Sequence, residues 1–174
     1  MNLFSKLRQR DTEQNPIRIG MIGAGKFGSM FLAQANRLPG IHVIGIADLN
    51  PSNARSNLAY VGWSAEKYAA TSLNDAVKTG TSFVGDDWQA LVSHPAIDMI
   101  IECTGDPVAA VHHVITAFKQ GKNVINATVE ADAFCGAGLN QAAIEAGVVY
   151  SMAYGDQPAL TCELVDWART CGFK

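Results

Sequence analysis

The sequence predicts a doubly wound α/β fold, a parallel sheet covered by helices on both faces, and three observations lead there. Short apolar runs recur along the chain, among them Ile17–Ile22, Ile41–Ala47 and Asn123–Asn126. Stretches of helical pattern alternate with these runs, as parallel strand connections require. The runs are also almost continuously apolar, the mark of strands buried on both faces.

Residues 1–16 carry basic side chains but no apolar stretch of signal-peptide type, so they read as a short amphipathic arm ending at Pro16. Ile17–Ile22 is the first strand. Phe27, Phe31, Ala35 and Leu38, spaced by 4, 4 and 3, form one face of the first helix of the repeating pattern, which Pro39-Gly40 stops. Ile41–Ala47 is the second strand, and Pro51 sits early in the next helix. Helical character is expected around residues 65–69 and 73–78, with a short third strand at 81–84.

Residues 98–102 form the next strand. Asp106-Pro107 then supplies a cap and a first-turn proline to a helix reaching about Gln120, which Gly121 ends. After the strand Asn123–Asn126, a helix is expected over 137–146, stopped by Gly147, and a sixth strand over 148–153.

The composition suits one globular domain, with 174 residues, 48% hydrophobic and 17% charged. The net charge is -3 and the 13 Lys and Arg residues are scattered, so neither a nucleic-acid partner nor a membrane surface is expected. No apolar run approaches the roughly 20 residues of a spanning helix. Cys103, Cys135, Cys162 and Cys171 include no C-x-x-C pair, which suits reduced thiols in a cytoplasmic protein. No metal site is expected. His42 and His94 lack partners at ligand spacing, and His112-His113 point about 100° apart on a helix, so they read as core or solvated histidines.

The chemistry concentrates at Gly23-Ala24-Gly25-Lys26-Phe27-Gly28, a G-x-G-x-x-G motif that follows a strand and opens a helix. The first glycine permits a tight turn, the second lets backbone approach a pyrophosphate, and the third allows close helix–strand packing. The open N–H groups and positive dipole end of the helix then receive phosphates. Asp48 ends the second strand 20 residues after Gly28, placed to accept hydrogen bonds from the adenosine ribose. The expected cofactor is therefore NAD or NADP on a Rossmann-type domain. A 2′-phosphate about 4 Å from Asp48 would meet repulsion of roughly 4 kcal/mol per charge pair at a dielectric near 20. Leu49 and Asn50 follow Asp48, with Arg55 a turn or two further, so the residues favour NAD.

A ligand in such a sheet crosses the carboxyl ends of the strands at the topological switch point. Thr104-Gly105 is expected near the cofactor's centre and Ala127-Thr128 nearer the nicotinamide. Glu102 reads as a buried carboxylate held by backbone N–H groups. Glu130 and Asp132 are the candidate catalytic acid–base pair, on a loop at the active edge of the sheet.

The stretch from Val148 through Tyr150, Tyr154-Gly155-Asp156-Gln157-Pro158 and Leu160, continuing from Cys162 to Arg169, resembles a signature of the homoserine dehydrogenase-like oxidoreductases. The likeness is closer to the branch whose members also carry a C-terminal SAF domain. That branch includes 1-deoxy-D-xylulose 5-phosphate reductoisomerase-like proteins, which use NADPH in isoprenoid precursor synthesis, and sugar-acid oxidoisomerases. The resemblance implies an NAD(P)-dependent oxidoreductase with a small-molecule substrate, homo-oligomeric in full-length form. It also implies that the residue 23–28 loop, Asp48, Thr104-Gly105 and Tyr154-Gly155 hold cofactor.

The implied domains are an arm at 1–16, the NAD(P)-binding domain at 17–154, and at 155–174 a helix leading toward a substrate domain. This chain alone would then bind cofactor without turnover. Leu160, Leu164, Trp167 and Cys171, at spacings of 4, 3 and 4, form a stripe that wants a partner surface. The true homoserine dehydrogenases carry an Asn-Lys pair, with a catalytic lysine, where Thr128 and Val129 stand here. Homoserine dehydrogenase-type activity, a non-catalytic dinucleotide sensor and an inert remnant are the competing readings.

Overall fold

The structure, a computed structural model, describes residues 2–153 and 159–173. Six strands form one parallel sheet: β1 (Ile17–Ile22), β2 (Ile41–Ala47), β3 (Phe83–Gly85), β4 (Met99–Glu102), β5 (Asn123–Asn126) and β6 (Tyr150–Met152). Their spatial order is β3-β2-β1-β4-β5-β6. The order reverses between β1 and β4, and that switch point opens a crevice at the carboxyl edge.

Helices α2 (Lys26–Ala35) and α3 (Pro51–Tyr60) cover one face, where Leu32, Ala54 and Leu58 meet Met21, Val43 and Ile46. The other face is covered by α4 (Leu73–Thr79), α5 (Trp88–Ser93), α6 (Pro107–Lys119) and α7 (Val129–Ala146), which bury Leu91, Val114 and Leu139 against Ile44 and Ile100. Burial on both faces is why β1, β2 and β4 are so uniformly apolar.

Several expectations are corrected. The third strand and helices α2, α5 and α7 depart from the pattern, whereas residues 1–16, expected as an arm, hold a helix, α1 (Leu3–Thr12), which buries no residue. On α2 Ala35 is buried and Phe31 packs on the core as expected, but the buried line runs through Gly28 and Leu32, whereas Phe27 and Leu38 are each 39% exposed. The helix approaches β1 through its glycine, so its contact face is turned toward Gly28 and Leu32 and leaves Phe27 outside. The third strand is displaced to Phe83–Gly85, pairing with Gly45–Ala47. Helix α5 escaped the pattern reading because six residues are too few to show a period, although Asp87 caps it through Ala90 N at 2.8 Å.

Helix α7 begins at Val129, far ahead of the expected residue 137, so Glu130 and Asp132 lie in its first turn and not on a loop. Its alanines and glycines give little amphipathic signal. β6 is shorter than expected: Val148 N–H still bonds back to Ala143 O at 3.0 Å, closing α7. Helix α8 (Ala159–Thr170) carries Leu164 and Trp167 exposed, at 62% and 63%, and Cys171 lies past its end. Among the described residues no helix is long and apolar enough to cross a membrane.

Candidate dinucleotide site

β1 delivers the chain to Gly23, whose φ of +92° is a left-handed conformation that side chains resist. A Cβ there would also lie 2.8 Å from the carbonyl oxygen of Cys103. Gly28 is packed as closely, since its Cβ would come 2.5 Å from Met21 Cε and 2.8 Å from Gly23 O. Gly25 differs, because a Cβ added there meets nothing within 4 Å. Two glycines are thus required by the fold itself, and the third keeps open a space that a ligand's phosphates can occupy.

Gly25 caps α2 without a side-chain hydrogen bond, and no acidic residue stands in that first turn. The loop's carbonyls are engaged: Ser29 Oγ donates to Gly25 O at 2.7 Å and Asn57 Nδ2 donates to Ala24 O at 2.8 Å. What the turn presents outward is N–H and dipole, the chemistry of an anion seat.

The crevice is a cavity of about 680 Å³ whose wall includes Gly23, Gly25, Asp48, Asp86, Trp88 and Thr104. Asp48 Oδ2 accepts from Ala24 N at 2.8 Å and Oδ1 from Asn50 N at 2.8 Å. The carboxylate therefore braces the loop while it borders the cavity. Arg55 is turned elsewhere, its guanidinium donating to Tyr68 O and Val84 O at 3.1 Å each.

Beneath the cavity lies a buried polar network. Glu102 is 0% exposed and accepts from Thr104 Oγ1 at 2.6 Å, from Thr128 Oγ1, and from His113 Nδ1 at 3.2 Å if that nitrogen carries the proton. Side chains hold this carboxylate, with the Thr104 N–H only at 3.4 Å, so the expectation of a backbone cradle is corrected. The Gly105 N–H donates to Thr128 Oγ1 at 3.1 Å, tying the loops after β4 and β5 together.

His113 is buried and packs on Trp88 with ring centroids 4.5 Å apart; His112 meets the same ring edge-on at 5.4 Å. Cys103 Sγ donates to Gly23 O at 2.9 Å. Burial pushes its thiol well above the usual range, with the charges of Glu102 and Asp48 adding to the shift. It is a structural thiol under the glycine loop.

Of the residues singled out from the sequence, Gly23, Gly25, Asp48 and Thr104 line the cavity together. Ala24 is buried with its N–H on Asp48, Lys26 and Phe27 occupy the exposed first turn of α2, and Gly28 is inside against Met21. Gly105 follows Thr104, and Ala127 N–H donates to Glu102 O at 2.7 Å. Thr128 is buried with its hydroxyl committed to the Glu102 network.

Glu130 is exposed, and Asp132 accepts from Tyr150 Oη at 3.0 Å, which in turn accepts from Asn126 Nδ2 at 3.1 Å. Neither acid is in the cavity wall. Tyr154 and Gly155 lie outside the described residues. Asp86, Trp88, His113 and Asn57 were not foreseen at the site. The only sequence signal for the first two was their position just past a short strand. Among the described residues no group of three or more His, Cys, Asp or Glu could hold a metal ion.

A parallel sheet with a glycine turn, an open helix start and a carboxylate at the end of β2 defines a dinucleotide-binding domain. Residues 17–127 match the GFO/IDH/MocA oxidoreductase family, NAD-binding Rossmann fold, and the chain belongs to that family. No curated protein sequence matches it.

Among solved structures it is similar to an NAD-binding oxidoreductase from Klebsiella pneumoniae, at 20% identity and a TM-score of 0.60, covering 88% of this chain and 39% of that one. It is also similar to a homoserine dehydrogenase from Thiobacillus denitrificans, at 22% identity and a TM-score of 0.61, covering 79% and 29% respectively. At these identities the likeness is one of fold. The chain spans well under half the length of either neighbour.

Proposed function

We propose that this chain is the cofactor-holding domain of an NAD(P)-dependent oxidoreductase acting on a sugar phosphate or sugar-acid-like substrate, in the SAF-domain branch of the homoserine dehydrogenase-like proteins. The observation that carries the cofactor reading is the cavity at the β1–β4 switch point, bounded by Gly23, Gly25, Asp48 and Thr104. The substrate class rests on the likeness of residues 148–169 to that branch. When bound, the cofactor supplies or accepts the hydride. The turn at Gly25 and the first amides of α2, at Lys26 and Phe27, hold the pyrophosphate, and Asp48 orients the adenosine ribose.

Thr104-Gly105 lies under the cofactor's centre and Ala127-Thr128 toward the nicotinamide, and the resemblance of residues 148–169 adds Tyr154-Gly155 to the cofactor-holding residues. The Glu102 network fixes the spacing of those loops. Asp132, steadied by Tyr150, and Glu130 are the acid–base candidates for the substrate hydroxyl proton. Homoserine oxidation through a lysine has less support, because Val129 opens α7 and Thr128 is committed to Glu102.

The test is thermal unfolding of the chain with NADH and NADPH. Saturating cofactor should raise the midpoint in proportion to RT ln(1 + [L]/Kd). Added sugar phosphates should leave the reduced-nicotinamide absorbance unchanged, since this chain is proposed to bind without turnover. No upshift with either cofactor at millimolar concentration would remove the proposal.

A further inference from the structure

We propose that Asp86 is a second determinant of cofactor choice, acting beside Asp48 to refuse a phosphate on the adenosine ribose. The inference rests on the dinucleotide reading given above. The backbone joins the two positions: Asp48 N–H donates to Gly85 O at 2.9 Å, clamping the ends of β2 and β3 together. Asp86, the residue after β3, thereby borders the same cavity as Asp48.

The adjacent aspartates divide their work. Asp87 spends its carboxylate on capping α5. Asp86 is exposed, and its side chain makes no hydrogen bond among the described residues, so its charge is free to act on whatever enters.

Arg55 points the other way. Arg55, nearest in sequence to the end of β2, is held on the carbonyls of Tyr68 and Val84, and no lysine or arginine is among the cavity-wall residues. A ribose 2′-hydroxyl can donate to a carboxylate. A 2′-phosphate would face two carboxylates with no lysine or arginine in the cavity wall to offset them. A second like charge within several ångströms is worth roughly tenfold in affinity at the dielectric of a protein surface, and salt screens it over a Debye length of about 10 Å.

The experiment is calorimetric titration of the wild-type chain, Asp86→Asn and Asp48→Asn with NADH and NADPH, at about 0.05 M and about 0.5 M salt. Asp86→Asn disturbs no described contact, so the variant should unfold at the wild-type temperature. The wild type should prefer NADH, and Asp86→Asn should reduce that preference about tenfold at low salt and less at high salt. An unchanged ratio in Asp86→Asn, with NADH still bound, would overturn the role of Asp86 and leave the dinucleotide reading standing. Tighter binding of NADPH by the wild type would also overturn it. Failure of the wild type to bind either cofactor would remove the dinucleotide reading and this inference with it.

Discussion

The backbone N–H of Ala24 donates to Asp48 Oδ2 at 2.8 Å, so the carboxylate at the end of β2 also shapes the glycine loop. Asp48→Ala should therefore do more than relax cofactor choice. It frees the Ala24 and Asn50 N–H groups, costs about 1–2 kcal/mol of stability, and weakens NADH binding as the loop loosens. Asp48→Asn keeps one acceptor oxygen and should fall between. Urea unfolding alongside NADH titration measures both effects, and an Asp48→Ala variant with wild-type stability would show that the brace is idle.

Glu102 accepts from Thr104, Thr128 and His113 while fully buried. Removing the acceptor leaves buried donors without partners, so Glu102→Ala should lose about 2–4 kcal/mol in urea unfolding. Glu102→Gln retains a carbonyl oxygen and should lose less. Equal losses in the two variants would mean that volume, and not hydrogen bonding, sets the stability here.

Cys103 is buried beneath the loop with its thiol pushed up by burial, whereas Cys135, Cys162 and Cys171 are exposed. With a thiol reagent at about pH 8, three cysteines should react quickly and the fourth only on unfolding. Mass mapping that finds Cys103 among the fast thiols would contradict its placement.

Burial, together with acceptance by Asp132, pushes the Tyr150 phenol above its ordinary value near 10. The folded state thus favours the neutral form, so the stabilisation is complete below about pH 10 and is lost as the pH rises above that. Tyr150→Phe, lacking the titrating group, should lose less stability between about pH 9 and pH 11. Parallel alkaline stability curves for the two proteins would exclude the effect.

The sheet was legible because its strands are buried on both faces and leave continuous apolar runs, as in Ile41–Ala47. The glycine motif was legible because each glycine answers a separate steric demand. Where side chains were small or elements short, the pattern misled: Gly28 moved the contact face of α2, and the alanines of α7 concealed its first two turns. The wall of the cavity was legible only on the β1, β2 and β4 side. Asp86, Trp88 and His113 reach it by tertiary packing, which no local spacing encodes.

The seat of the pyrophosphate is tested most directly at Gly25. A Cβ there meets nothing within 4 Å in the protein itself, whereas Gly28→Ala would collide with Met21 and lose about 1–3 kcal/mol of stability. Gly25→Val should therefore still fold, with only the modest loss of stability that an apolar residue at the N-cap of α2 brings, and fill the space meant for phosphate. The measurement is calorimetric titration of both proteins with NADH. Binding by the wild type and loss of at least about 100-fold in affinity by Gly25→Val, or about 2.7 kcal/mol, is the predicted result. Equal affinities would contradict the account.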